Sequence, residues 1–85
     1  MYLKNYEVTN LFNGKVDNVL AYHMEDAMIR FLCDRFFPEF TRPYVREQIK
    51  NNGLSSVARI GTLKPNHLIF ESANYIAEWE FVLKG

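Results

Sequence analysis

Residues 16–38 have the sequence VDNVLAYHMEDAMIRFLCDRFFP, and within this stretch the spacing of the apolar side chains changes from every second residue to a helical repeat. Alternation up to about Tyr22 predicts a strand with one buried face. The apolar residues that follow at helical spacing are Met24, Ala27, Met28, Phe31 and Leu32. Acidic Glu25 and Asp26 suit a first helical turn. Pro38 predicts the helix end, because the residue before a proline avoids helical backbone angles.

The residues before this stretch predict its partner strand. Within residues 2–12, Tyr6 and Val8 fall on one face and polar residues on the other. Asn13-Gly14 follows, and this pair favours a two-residue type I′ hairpin turn because both residues accept a positive φ. Strand two then runs from about Lys15 to Tyr22. The predicted opposed pairs are Phe12 with Lys15, Val8 with Val19, and Tyr6 with Ala21.

The sequence after Pro38 predicts one more helix and three strands. Pro43 suits a first helical turn, so the second helix runs from about Arg42 to Asn51. Asn52-Gly53 favours a left-handed stop after it. Alternation at period two then predicts strands at Ser56–Leu63, His67–Ser72 and Tyr75–Leu83, with turns at residues 64–66 and 73–74.

The register of the last hairpin follows from its pattern. An Ala73-Asn74 loop pairs Phe70 with Ala77, Leu68 with Trp79, Ile69 with Glu78, and His67 with Glu80. A slip of one residue would bury Glu78, which costs several kcal/mol for an unpaired charge. We therefore predict a buried Trp79 close to Leu68 and the first helix. The fold class is α+β: one domain over residues 1–85, in the order ββααβββ, with a mainly antiparallel sheet packed against two helices.

Composition excludes several classes of protein. Ten basic and ten acidic residues cancel, so no net field draws the whole chain to nucleic acid or membrane. The one cysteine, Cys33, excludes an internal disulfide, and with His23 and His67 it supplies too few ligands for a zinc site. We expect no metal and no cofactor. No apolar run is long enough to span a membrane and no secretory signal is present, so we expect a cytoplasmic protein.

Candidate catalytic groups are few. No serine lies in a Gly-x-Ser-x-Gly context, and Cys33 lies on an apolar helix line, where a small core side chain is expected. His67 opposite Glu80 is the one pair that could act as acid and base. An exposed cross-strand ion pair is the simpler interpretation, because no third group or pocket-forming loop accompanies it. We expect a protein that is not an enzyme.

A basic stripe is the first candidate partner-binding surface. Arg42, Arg46 and Lys50 are spaced by four and lie on one face of the predicted second helix, and Arg59 follows in the next strand. Such a surface suits phosphates or an acidic protein. The alternative is an ordinary solvated helix face, partly offset by Glu47.

The tip of the first hairpin is the second candidate. Leu11 and Phe12 lie beside the Asn13-Gly14 turn, where side chains are usually polar. With Leu3, Val16 and Leu20 they form a potential apolar patch. Either the second helix covers this patch or it meets a partner, including a second copy of the chain.

The function that best fits these features is a cytosolic protein-interaction domain that binds and modulates, for instance inhibits, a larger macromolecule. Size alone suggests a phage or mobile-element protein that acts on host machinery. The alternative is a nucleic-acid-associated accessory protein that uses Arg42, Arg46, Lys50 and Arg59.

Overall fold

The computed structural model describes residues 2–36, 39–56, 59–60, 66–72 and 75–84. Its regular elements are β1 (Lys4–Asn10), β2 (Val16–Ala21), α1 (Met24–Arg35), α2 (Pro43–Asn52), β3 (Arg59–Ile60), β4 (His67–Ser72) and β5 (Tyr75–Leu83). Short 3₁₀ turns at Glu39–Thr41 and Leu54–Ser56 flank α2. The order is the predicted ββααβββ, and the α+β fold class is confirmed.

The strands form one antiparallel sheet in the order β2-β1-β5-β4-β3, so β5 lies at its centre. One face packs against α1, where the Phe31 ring meets Trp79 and Phe81 edge-on at centroid distances of 5.0 and 5.6 Å. The other face carries exposed side chains, and we call it the open face. Its side chains include Glu7 and Thr9 on β1, Val16 and Leu20 on β2, His67 and Ile69 on β4, and Ile76, Glu78, Glu80 and Val82 on β5.

The core lies between the sheet and the helices. Its buried apolar residues are Tyr6, Val8, Ala21, Ala27, Met28, Phe31, Leu32, Phe40, Leu54, Leu68, Ala77, Trp79 and Phe81. The four helical members Ala27, Met28, Phe31 and Leu32 are among those that the helical spacing predicts. Val45 and Ile49 of α2 are only partly buried against this core.

The first hairpin differs from its predicted register. Tyr6 pairs with Val19 and Val8 with Asp17, two positions away from the expected partners. The loop is four residues long, and among its residues only Gly14 has a positive φ, of 75°. A type I′ turn needs a positive φ at both central residues, so the predicted turn is wrong. Because the displacement is an even number of residues, the same side chains still face the core.

Asn10 explains the longer loop. Its Oδ1 accepts the N–H groups of Phe12 at 2.8 Å and Asn13 at 3.3 Å, while its carbonyl oxygen accepts the N–H of Gly14 at 2.8 Å. An asparagine side chain that bonds the backbone two residues on offers the chain an alternative to the strand ladder. β1 therefore ends at Asn10, and the expectation of a strand to residue 12 is wrong.

The last hairpin has the predicted register. His67 lies opposite Glu80, Leu68 opposite Trp79, Ile69 opposite Glu78, and Phe70 opposite Ala77. Trp79 is 1% exposed and Leu68 is fully buried, which confirms the buried face of β5. The loop at residues 73–74 itself lies outside the described residues.

The N-terminus of α1 is capped by two side-chain-to-backbone hydrogen bonds. His23 Nδ1 accepts the N–H of Asp26 at 3.2 Å, and Asp26 Oδ2 accepts the N–H of Tyr22 at 2.9 Å. These bonds satisfy N–H groups that have no partner within the helix. The helix ends at Arg35, and Phe36 leaves it to stack on Phe70 of β4 at 4.4 Å between centroids. The predicted stop at Pro38 lies outside the described residues.

The third strand begins later than expected. Ser56 belongs to a 3₁₀ turn, in which its hydroxyl donates to the carbonyl oxygen of Gly53 at 2.7 Å. That bond favours a turn over the predicted strand start. β3 itself comprises Arg59–Ile60, paired with Leu68 and Ile69 of β4. The rest of the predicted strand, at residues 57–58 and 61–63, and the turn residues 64–65 lie outside the described residues.

Candidate interaction surfaces

Helix α2 presents the basic stripe to solvent. Arg42 is the N-cap residue, and Arg42, Arg46 and Lys50 are all exposed. No residue of α2 is buried; Val45 and Ile49 hold it by partial burial against the core. A helix anchored along so narrow a line leaves most of its circumference available for contact.

A cleft of about 770 Å³ lies between α1 and α2. Its apolar lining comes from Ile29 and Cys33 of α1, Phe40 of the first 3₁₀ turn and Ile49 of α2, and its charged lining includes Asp26, Arg30, Arg46, Glu47 and Lys50. Pockets of 300–1,000 Å³ with apolar walls and a few polar groups are typical of ligand sites. The cleft therefore has the size and chemistry to accept a side chain or a short segment.

The cations of the cleft differ in how far they are neutralised. Arg30 forms an ion pair with Asp26 at 3.1 Å and lies over the Tyr22 ring at 5.6 Å. Among the described side chains, no carboxylate lies within ion-pair distance of Arg46 or Lys50. These two groups are the ones available to an incoming anion.

Cys33 lies in the wall of the cleft. Its Sγ donates to the carbonyl oxygen of Phe40 at 3.5 Å, and the side chain packs against the core. Burial raises the pKa of the Cys33 thiol, and the nearby Arg46 guanidinium offsets part of that rise. A thiol with a raised pKa is a poor nucleophile at neutral pH, so the geometry favours the predicted packing role.

Arg59 is placed only through its backbone. In β3 it pairs with Ile69 of β4, and its side chain lies outside the described part of the structure. Its membership of the basic surface stays a prediction.

Leu11 and Phe12 form the tip of the β1–β2 loop rather than flanking it. Both side chains are exposed, Phe12 to 60%. The loop is fixed to the sheet because the N–H of Leu11 donates to the carbonyl oxygen of Glu78 at 2.8 Å. Val16 and Leu20 are also exposed, so the idea that the second helix covers this patch is wrong. That this patch binds a partner stays a prediction.

His67 is held between two carboxylates on the open face. Its Nδ1 lies 2.7 Å from Glu78 Oε2 and its Nε2 lies 3.2 Å from Glu80 Oε2. The side chain is only 13% exposed, less than a solvent-facing pair would be. Sequence reasoning found Glu80 but missed Glu78, although a glutamate two positions away on the same strand shares its face. Each ring nitrogen therefore lies within hydrogen-bond distance of a carboxylate oxygen.

The chain matches no protein-family model, no curated protein and no solved structure in the comparisons. Within the described ranges, no helix is long and apolar enough to cross a membrane. Over those same ranges, no three His, Cys, Asp or Glu side chains are grouped so that they could hold a metal ion.

Proposed function

We propose that this chain is a protein-interaction domain that binds an acidic segment of a larger protein at the α1–α2 cleft and modulates that protein by occupying the segment. Inhibition is one form that such modulation takes. The observation that carries the proposal is that Arg46 and Lys50 lie beside an apolar cleft wall and have no carboxylate within ion-pair distance in the part of the chain that the structure describes.

The lining of the cleft suggests the chemistry of the segment. Ile29, Phe40 and Ile49 offer apolar contact to an aliphatic side chain. Arg46 can bind a carboxylate through two parallel hydrogen bonds, and Lys50 adds a point charge. An aliphatic residue next to Asp or Glu would use both features. Binding of this kind is supported by shape and charge together, whereas a solvated helix face would offer charge alone.

Nucleic acid is the alternative partner, and one observation favours it. Arg42, Arg46 and Lys50 are each one helical turn apart, about 6 Å, which is close to the phosphate spacing along a strand. The exposed aromatic of α2, Tyr44, lies two positions from Arg42 and so about 200° around the helix from the stripe. Bases could not stack on it while phosphates contact the stripe.

A triple substitution tests the proposal. Arg42→Gln, Arg46→Gln and Lys50→Gln together keep helix propensity and replace no buried residue. The probes are a fluorescent peptide of alternating Glu and Leu and a single-stranded oligonucleotide, each titrated by anisotropy at several salt concentrations. Arg46 and Lys50 line the cleft, and each lost charge contact contributes about 0.5–1 kcal/mol. We therefore expect the variant to bind the peptide about five- to thirtyfold more weakly than the wild type.

The matched control is the triple substitution Lys4→Gln, Lys15→Gln and Lys84→Gln. It removes the same charge from β1 and from the residues next to β2 and β5 rather than from α2, and we expect near-wild-type peptide affinity. Tighter binding of the oligonucleotide than of the peptide, with a salt slope that falls by about two to three in the α2 variant, would establish the alternative. Equal loss of peptide affinity in both triple variants would show that net charge alone is responsible and would contradict the cleft site.

A further inference from the structure

The open face of the sheet carries a second pattern that the cleft does not use. Along the central strand β5 its outward residues are, in order, Ile76, Glu78, Glu80 and Val82. Ile76 is 50% exposed and Val82 is 37% exposed. The row is therefore apolar at both ends and acidic in the middle. It spans six residue steps, or about 20 Å.

The charge of this face remains available to a partner. The side chains of Glu78 and Glu80 are 30% and 34% exposed even though His67 lies between them. Glu7 on the neighbouring β1 is 37% exposed and is only loosely paired with Lys84 at 3.9 Å. A carboxylate has about four acceptor sites, so each of these groups can accept further hydrogen bonds.

The spacing of the row fits an α-helix. Glu78 and Glu80 are about 6.8 Å apart along the strand, and side chains four apart on a helix are separated by about 6 Å. A length of 20 Å corresponds to about 13 helical residues. A helix with two basic residues four positions apart and an aliphatic residue near each end would match both the charges and the apolar ends.

A second copy of the chain is a poorer occupant. Face-to-face pairing would bring Glu7, Glu78 and Glu80 of one copy against the same glutamates of the other, and like charges at such contacts are unfavourable. The row and its two neighbouring strands cover roughly 14 × 20 Å, or about 300 Å² in projection. That is close to the footprint of one α-helix, which is about 10 Å wide and, over 13 residues, about 20 Å long.

We propose that the open face docks a basic amphipathic helix of a partner protein, with aliphatic side chains on Ile76 and Val82 and Lys or Arg side chains on Glu78 and Glu80. This surface lies on the opposite side of the sheet from α1 and α2. It is therefore separate from the cleft, and its test does not depend on the cleft being a binding site.

The experiment uses the whole chain and a designed peptide of 14 residues, helical in isolation, with two lysines four apart and a leucine near each end. Amide shifts of the isotope-labelled protein are mapped by NMR as the peptide is added. We expect shifts confined to β1, β4 and β5. Ile76→Thr with Val82→Thr keeps strand propensity and should weaken binding about tenfold. Glu78→Gln with Glu80→Gln keeps acceptors for His67 and should reduce the salt dependence of binding.

Two comparisons complete the test. The Arg42, Arg46 and Lys50 triple variant should bind the basic peptide as the wild type does, and a peptide with glutamates in place of lysines should not shift the open face. Shifts that spread over α1 and α2 as the basic peptide is added, or equal shifts of the open face by both peptides, would each overturn the proposal. So would dimerisation of the free chain in sedimentation experiments, if Ile76→Thr with Val82→Thr abolishes it. The mapping on wild-type protein decides the matter even if one variant fails to fold.

Discussion

Replacement of Trp79 by alanine tests how much the packing of the sheet against α1 contributes to the stability of the fold. Trp79 is 1% exposed, lies opposite Leu68, and meets the Phe31 ring edge-on at 5.0 Å. The substitution removes a ring from the centre of the core and leaves a cavity between β5 and α1. No other tryptophan is present in the chain, so unfolding must be followed by circular dichroism rather than by tryptophan fluorescence.

The magnitude follows from the buried area. A buried tryptophan removes up to about 250 Å² from water, which at about 25 cal/mol/Å² gives up to about 6 kcal/mol. Alanine recovers part of this, and large aromatic-to-alanine changes in cores cost about 3–5 kcal/mol. A domain of this length has a total stability of about 4–13 kcal/mol. We expect Trp79→Ala to lower the melting temperature by at least about 12 °C or to unfold the chain.

Ile76→Ala is the matched control. Ile76 lies on the same strand but on the open face, where it is half exposed, so we expect a cost of at most about 1 kcal/mol. Both variants are compared with the wild type by thermal and urea unfolding. Equal destabilisation by the two substitutions would refute the assignment of the buried face of β5, and with it the β4–β5 register.

Two further predictions concern single polar groups. Asn10→Ala removes the acceptor of the Phe12 N–H in a partly exposed loop and should cost about 0.5–1.5 kcal/mol in urea unfolding. Asn10→Asp keeps an acceptor oxygen and should cost less, and equal stabilities of the two variants would contradict the loop geometry. Partial burial acts to raise the pKa of Asp26, but the N–H of Tyr22 and the Arg30 guanidinium outweigh it and hold that pKa below its ordinary value of 3.8. The stability that ionised Asp26 contributes is therefore fully present above pH 3.8 and is lost as the pH falls through the lower folded value, so the stability difference between wild type and Asp26→Asn should shrink in that acidic range.

The β4–β5 register was predictable because the buried face excludes every odd displacement and the two-residue loop Ala73-Asn74 selects one of the remaining registers. Alternation along β5 places Ala77, Trp79 and Phe81 on one side and Glu78 and Glu80 on the other, and only an even displacement keeps the glutamates out of the core. An even displacement is the error that occurred in the first hairpin. There the apolar pattern indicated the correct faces, but the register depended on the hydrogen bond that Asn10 Oδ1 accepts from the Phe12 N–H, and the Asn13-Gly14 pattern does not indicate that bond.

The candidate surfaces also differ in whether the sequence alone could predict them. The basic stripe depends on spacing within one helix, so Arg42, Arg46 and Lys50 could be placed together from the sequence. The cleft depends on how α1 packs beside α2, and its lining comes from residues as far apart as Ile29 and Ile49. No pattern of neighbouring residues in the sequence indicates that these two positions lie close together. The position of Glu78 beside His67, by contrast, follows from period two on β5 once the register is known.

Although the net charge of the chain is zero, its basic and acidic surfaces lie on different parts of the fold. Among the described side chains, Arg46 and Lys50 of α2 have no carboxylate within ion-pair distance, while Glu78 and Glu80 lie on the far side of the sheet, with the apolar core between. Contributions from sites more than about 10 Å apart with no shared partners are nearly additive. Occupation of the cleft should therefore leave the affinity of the open face almost unchanged. If both surfaces are occupied as proposed, the domain holds an acidic segment and a basic helix at once, and each affinity should be the same whether or not the other site is filled.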